Sequence, residues 1–219
     1  MTLWVYGASI VLNGSLSAGM RTDGGFAAIS AEILGTDYVN RGIAGGCNYE
    51  IFMSIVKDVR DGRITASDRV YINWTYIDRM YCVLTNGSIL PSHTERHANP
   101  VNRQIDHKIA QLLYEYMYDD NKGFSEVLGY ICAVDNMLAH TTVRFTMSGM
   151  HHINQSNTAG GVDTVLLHQF TSLLSHLDLG WHDIDSMMMS DFQNLSTPCY
   201  HLSDQGHQLM ATLLSGALK

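Results

Sequence analysis

The feature that most constrains this chain is an alternation of short apolar runs with segments of helical periodicity. Residues 3–6, LWVY, form an uncharged run ending at Gly7, the pattern of a buried strand followed by a turn. Residues 24–34, GGFAAISAEIL, carry apolar side chains at helical spacing and predict a first helix. Residues 38–41 suit a second short strand, followed by the glycine-rich turn GIAGG at 42–46. Ile51, Ile55, Val56 and Val59 share one helical face, and residues 69–74, RVYINW, read as a third strand entered at Asp68. Residues 76–98 contain Asn86-Gly87 and Pro91 and predict an irregular excursion. Helices are predicted over 101–118, 124–138, 162–177 and 207–218, and a strand over 142–147, TVRFTM. Such alternation predicts an α/β chain with a mostly parallel sheet covered on both faces. Parallel crossovers collect the loops that follow the strands on one edge, where chemistry is to be sought.

Nothing divides the 219 residues: there are three prolines, no linker and no repeat, so residues 1–219 read as a single domain. A hydrophobic share of 46% against 16% charged fits a packed core rather than disorder. The net charge of -8, with Lys and Arg scattered, excludes the positive footprint a nucleic-acid binder needs and argues against attachment to an anionic membrane. The first residues lack the basic start of a signal peptide, and no uncharged apolar span suits a membrane helix. Cys47, Cys82, Cys132 and Cys199 show no C-x-x-C spacing and read as reduced, mostly buried thiols. Synthesis in the cytoplasm is therefore expected, with association with a virion left open.

Three segments meet at the expected edge. Gly7-Ala8-Ser9 follows the first strand and places a serine on a tight turn. Asn40-Arg41-Gly42-Ile43-Ala44-Gly45-Gly46 follows the second, where backbone N–H groups and a helix start can face an anion. Ser203-Asp204-Gln205-Gly206-His207 precedes the last helix, with Ser203 as a candidate cap and Asp204 and His207 three apart. A carboxylate so placed can orient an imidazole, whose second nitrogen is then free to take a serine proton.

Gly-x-Ser, then Asn-x-Gly-x-x-Gly, then Asp-x-x-His before the last helix is an order that resembles the SGNH (GDSL-like) hydrolase superfamily over nearly the whole chain. The resemblance implies a three-layer α/β/α sandwich with a mostly parallel, flavodoxin-like five-stranded sheet. It implies hydrolysis of esters, thioesters or acetylated sugars, with Ser9 as nucleophile, His207 and Asp204 as its partners, and the N–H groups of Ser9 and Gly45 as oxyanion donors. Within the superfamily the phrases LWVYGAS, NRGIAGGCNYEIF, RVYINWTYIDR and HLSDQGH are similar to a group of tailed-phage proteins.

Two departures stand out. Gly7-Ala8-Ser9 replaces Gly-Asp-Ser, and the third motif, Gly-x-Asn-Asp, falls on Thr75, Tyr76, Ile77 and Asp78, where isoleucine has no donor to give. Asn73, Thr75 and the cation Arg79 are the alternative donors. Trp74, Tyr76 and Tyr81 cluster here and offer rings on which a sugar can stack, while His151 and His152 follow the fourth strand as candidate substrate contacts. His93 and His97, four apart within HTERH, lie between Pro91 and Pro100 in a segment of little helical pattern, so no metal site is expected. Met187, Met188 and Met189 suit packing or an interface. No phosphate-loop or dinucleotide motif occurs, and no cofactor is implied. The expected partner is a small ester or acetylated glycan; self-association or virion assembly is left open. Two hypotheses follow: a serine esterase or carbohydrate O-deacetylase, and an inactive scaffold that binds glycan or builds a particle.

Overall fold

The computed structural model describes residues 1–11, 25–75, 77, 80–83, 89–92, 120–147, 181–182, 202 and 204–218. In chain order the elements are β1 (Thr2–Gly7), α1 (Gly25–Leu34), β2 (Asp37–Gly42), α2 (Asn48–Arg60), β3 (Arg69–Trp74), β4 (Met80–Val83) and β5 (Ile89–Ser92). There follow α3 (Asp120–Met137), β6 (Thr142–Met147), the two-residue β7 (Trp181–His182) and α4 (Asp204–Ala217). β1 is buried from Leu3 to Gly7, as its unbroken apolar run requires of a strand with neighbours on both sides. The sheet runs β2-β1-β3-β6, parallel at every pairing, and β7 adds a short parallel ladder beside β6. Chain order reverses at β1, with β2 on one side and β3 on the other, which is where ligands bind in open sheets of this kind.

Alternate strand positions supply two different cores. Trp4, Tyr6, Val70, Ile72, Trp74, Val143 and Phe145 pack with Ile51 and Ile55 of α2 and with Phe124, Val127, Ile131 and Val134 of α3. Leu3, Val5 and Tyr71 face the other way, against Phe26, Ala27 and Ala31 of α1 and Met210, Ala211 and Leu214 of α4. Helices on both faces of a parallel sheet make the predicted three layers.

Each layer has its own fastening. On the α2 side Asp58, 2% exposed, accepts from Tyr6 Oη at 3.0 Å, Arg41 Nε at 2.8 Å and Arg63 Nη1 at 3.2 Å. Burial, and then the Asp58 carboxylate, push the Tyr6 phenol far above its ordinary range, so it stays a donor. On the other side α1 and α4 run alongside in register. The Ser30 hydroxyl donates to the Ala211 carbonyl and the Ser215 hydroxyl to that of Ser30, both at 3.5 Å. Arg144 Nε closes the far end on the Ala217 carbonyl at 3.0 Å, the usual service of a cation to a helix C-terminus.

The excursion at 76–98 contains an antiparallel ribbon, β4 with β5, in which Pro91 lies opposite Tyr81. Among the described residues the ribbon has two strands, whose outer edges can tolerate a proline. α3 and α4 begin four and three residues ahead of the predicted starts, because their first turns are polar and escape a count of apolar positions. The helices predicted over 101–118 and 162–177 lie outside the described residues. No helix among the described residues is long and apolar enough to cross a membrane.

Candidate active site

Ser9 sits in the turn that ends β1, closed by the Val11 N–H donating to the Ala8 carbonyl at 3.1 Å. Only glycine fits before it. A Cβ on Gly7 would stand 2.4 Å from Val11 Cγ2 and 3.0 Å from both Cβ and the carbonyl oxygen of Asn73. The turn therefore folds back over Gly7, and Val11 is driven into the α1–α4 core with Phe26 and Met210.

The loop after β2 is tied to this turn. Asn40 donates from Nδ2 to the Val11 carbonyl at 2.8 Å and accepts the Gly42 N–H on Oδ1 at 2.8 Å, while the Ile43 N–H donates to the Gly7 carbonyl at 2.9 Å. A second turn follows, closed by Gly46 N–H on the Ile43 carbonyl at 3.0 Å, with Gly45 at φ 68 in its third position. A left-handed residue there is the type II requirement, and a side chain would be strained. Cys47 then caps α2, its N–H donating to Glu50 Oε2 at 2.9 Å, and burial pushes its thiol up to about 12, so it is an inert thiol at neutral pH.

The third loop is tied in turn to the second. Asn48 accepts the Thr75 N–H at 2.8 Å and donates to the Thr75 carbonyl at 3.0 Å, an amide matched to a peptide. Two of the three alternative donors, Asn73 and Thr75, lie among the described residues, and each has a bonded group. The Thr75 N–H is committed to Asn48. Asn73, 0% exposed, gives one amide hydrogen to Thr146 Oγ1 at 3.0 Å, and Thr146 also bonds the Tyr71 hydroxyl at 2.5 Å. Strand register turns Asn73 into the α1–α4 layer beside Gly7, and the Asn48 amide takes the Thr75 N–H. Trp74 is 1% exposed, with its ring stacked on Tyr130 at 6.4 Å.

His207 stands in the first turn of α4, 4% exposed, at the same edge of the sheet. Its Nδ1 accepts the Phe26 N–H at 3.1 Å, and its ring stacks on that of Phe26 at 6.1 Å and 23°. Phe26 in turn meets Tyr71 edge-on at 5.7 Å. A nitrogen that accepts carries no proton, so the neutral ring holds its hydrogen on Nε2. Asp204 is exposed at the first position of the same helix. Tyr76, Arg79, His151 and His152 lie outside the described residues, as do His93, His97, Met187, Met188 and Met189.

Sequence reasoning missed the side chains that fix these loops. Asn40 was visible within its motif, but nothing marked its bond to Val11. Asn48 reads as a polar helix start, and Phe26, Tyr71 and Thr146 as ordinary apolar or strand positions.

This overall fold recurs in solved structures. A member of the lipolytic protein G-D-S-L family from Veillonella parvula matches over 97% of this chain and 94% of its own, with TM-score 0.54 and 10% identity. An acetyl xylan esterase from the rumen bacterium Butyrivibrio proteoclasticus matches over 99% of this chain and 62% of its own, with TM-score 0.54 and 12% identity. A family two carbohydrate esterase from Clostridium thermocellum, solved with cellohexaose, matches over 98% and 62%, with TM-score 0.52 and 11% identity. The chain shares the fold of these proteins. No protein-family model and no curated protein matches the sequence. The likeness thus resides in the order of strands and helices, at 10–12% sequence identity.

Proposed function

We propose that this chain is a serine ester hydrolase of the SGNH type, acting on a small ester or an acetylated glycan. The carrying observation is that Asn40 and the Ile43–Gly7 bond hold the Ser9 turn against the Gly45 turn, at the edge where α4 delivers His207. In this reading Ser9 Oγ attacks the carbonyl carbon and His207 takes its proton. Asp204 steadies the imidazolium, and the N–H groups of Ser9 and Gly45 receive the oxyanion. The acyl-enzyme is then released by water through the same base. An acetylated carbohydrate is the preferred substrate class, because two proteins sharing the fold are named for xylan and carbohydrate ester chemistry. With two N–H donors and no third-motif asparagine, turnover is expected about 10²–10³ below that of a complete oxyanion hole.

The test is hydrolysis of an activated acetyl ester and of acetylated xylo-oligosaccharides by the parent, Ser9→Ala and His207→Ala. Loss of at least about 10³-fold in both variants is expected, and equal rates in all three would sink the reading.

One observation favours a second reading, an inactive SGNH scaffold serving as a glycan-binding or structural virion component, with the tailed-phage phrases as its context. The Phe26 N–H occupies the imidazole nitrogen that a triad gives to its carboxylate. Binding of acetylated oligosaccharide by calorimetry, with no acetate released, is the result this reading expects.

A further inference from the structure

We infer that the amino end of α1 is a latch on His207, and that Phe26 is the positioning residue that keeps the imidazole idle until Nδ1 exchanges the Phe26 N–H for the Asp204 carboxylate. The inference rests on the reading of His207 as general base. Three observations meet in it: the 3.1 Å bond from Phe26 N–H to Nδ1, the stacked rings, and the burial of the imidazole in the seam between α1 and α4.

An N–H donor on Nδ1 fixes the tautomer with hydrogen on Nε2, the nitrogen that must be bare to accept the serine proton. The surroundings reinforce this. Phe26 is the second residue of α1 and His207 the fourth of α4, so the ring lies between two helix amino ends, where backbone N–H donors lack intrahelical partners. Asp204, also in the first turn of α4, is the nearby negative group on that helix able to reverse the balance. In the exchange the imidazole turns from Phe26, its Nε2 hydrogen passes to water, and Nδ1 takes a hydrogen from water and donates it to Asp204. No bond to carbon changes and the ring stays neutral. The in-register fastening of α1 to α4 through Ser30, Ala211 and Ser215 makes the release a movement of the ring and the α1 amino end, not of the two helices apart.

Two measurements test the latch apart from the hydrolase reading. Long-range ¹H–¹⁵N correlation spectra of histidine-labelled protein, with His207 assigned by loss of its signals in His207→Gln, report the tautomer directly. The free protein at neutral pH is expected to show hydrogen on Nε2 and a bare Nδ1; hydrogen on Nδ1 would overturn the latch, whatever the hydrolysis assays give. The second compares Phe26→Pro with Phe26→Leu. Both lose the ring, but only proline removes the N–H, at a helix position that tolerates it. Acylation of Ser9 by an activated ester is expected about fivefold faster in Phe26→Pro, the equivalent of one hydrogen bond. Equal or slower acylation would overturn the latch, and should Phe26→Pro not fold, the tautomer of the unaltered protein decides alone.

Discussion

The two faces of the sheet are built for different ends. The α2–α3 face is an aromatic and aliphatic core, with Trp74, Phe124 and Phe145 at its centre and one charge, Asp58, satisfied by two arginines and a tyrosine. The α1–α4 face has smaller helix residues and more buried polar groups: Ser30, Ser215, Asn73, Thr146 and His207. Polar groups weaken a core unless each is matched, and here the matching aligns helices and fixes a ring. One face is mostly apolar packing; the other gives part of its packing to matched polar groups.

This division can be broken from either side. The largest effect is expected from Phe124→Ala, a fully buried ring on the α2–α3 face, at about 3–5 kcal/mol by denaturant unfolding. Turnover per folded molecule should stay within twofold of the parent; a collapse of turnover in folded protein would mean that the faces are not separable. Asp58→Ala comes next, at about 2–3 kcal/mol, below the usual cost of breaking a buried pair because Arg41 and Arg63 keep access to water. Gly7→Ala on the other face should cost only about 1–3 kcal/mol, yet cut acylation more than any change in the α2–α3 core, since its Cβ meets Val11 and displaces the Ser9 turn.

The smallest effect concerns Cys47. Its folded value of about 12 lies above the ordinary 9.0, so the unfolded chain sheds that proton first as pH rises. The thiol's contribution is complete below pH 9 and is lost as pH climbs from there through about 12. Alkylation of the Cys47 peptide at pH 8.5, read by mass, should be slow in native protein and fast in urea; equal rates would place the thiol at the surface.

How much was legible follows from the same contrast. Strands β1, β3 and β6 and the helices α1 and α2 are written in local apolar period, so the three layers could be read from the chain. The glycines could be read too: Gly7 and Gly45 sit where a close approach and a left-handed turn demand them. The partners of Asn40, Asn48 and His207 could not, because each bond joins a side chain to a backbone group 27 to 181 residues away. The burial of Trp74 was hidden for a related reason. A ring after a strand looks alike in sequence whether it faces solvent or, as here, Tyr130. The order of Gly-x-Ser and Asp-x-x-His was visible in sequence, while the contact of the His207 imidazole with Phe26 is a property of packing between α1 and α4.

The most direct test of the account is a covalent one. Incubation with a serine-directed phosphonate, followed by peptide mass analysis of the parent and His207→Ala, asks whether the two residues act together. One adduct is expected, on Ser9, formed at least about 10³-fold more slowly once the imidazole is gone. Labelling of Ser9 at the same rate without His207, or an adduct on another serine alone, would contradict it.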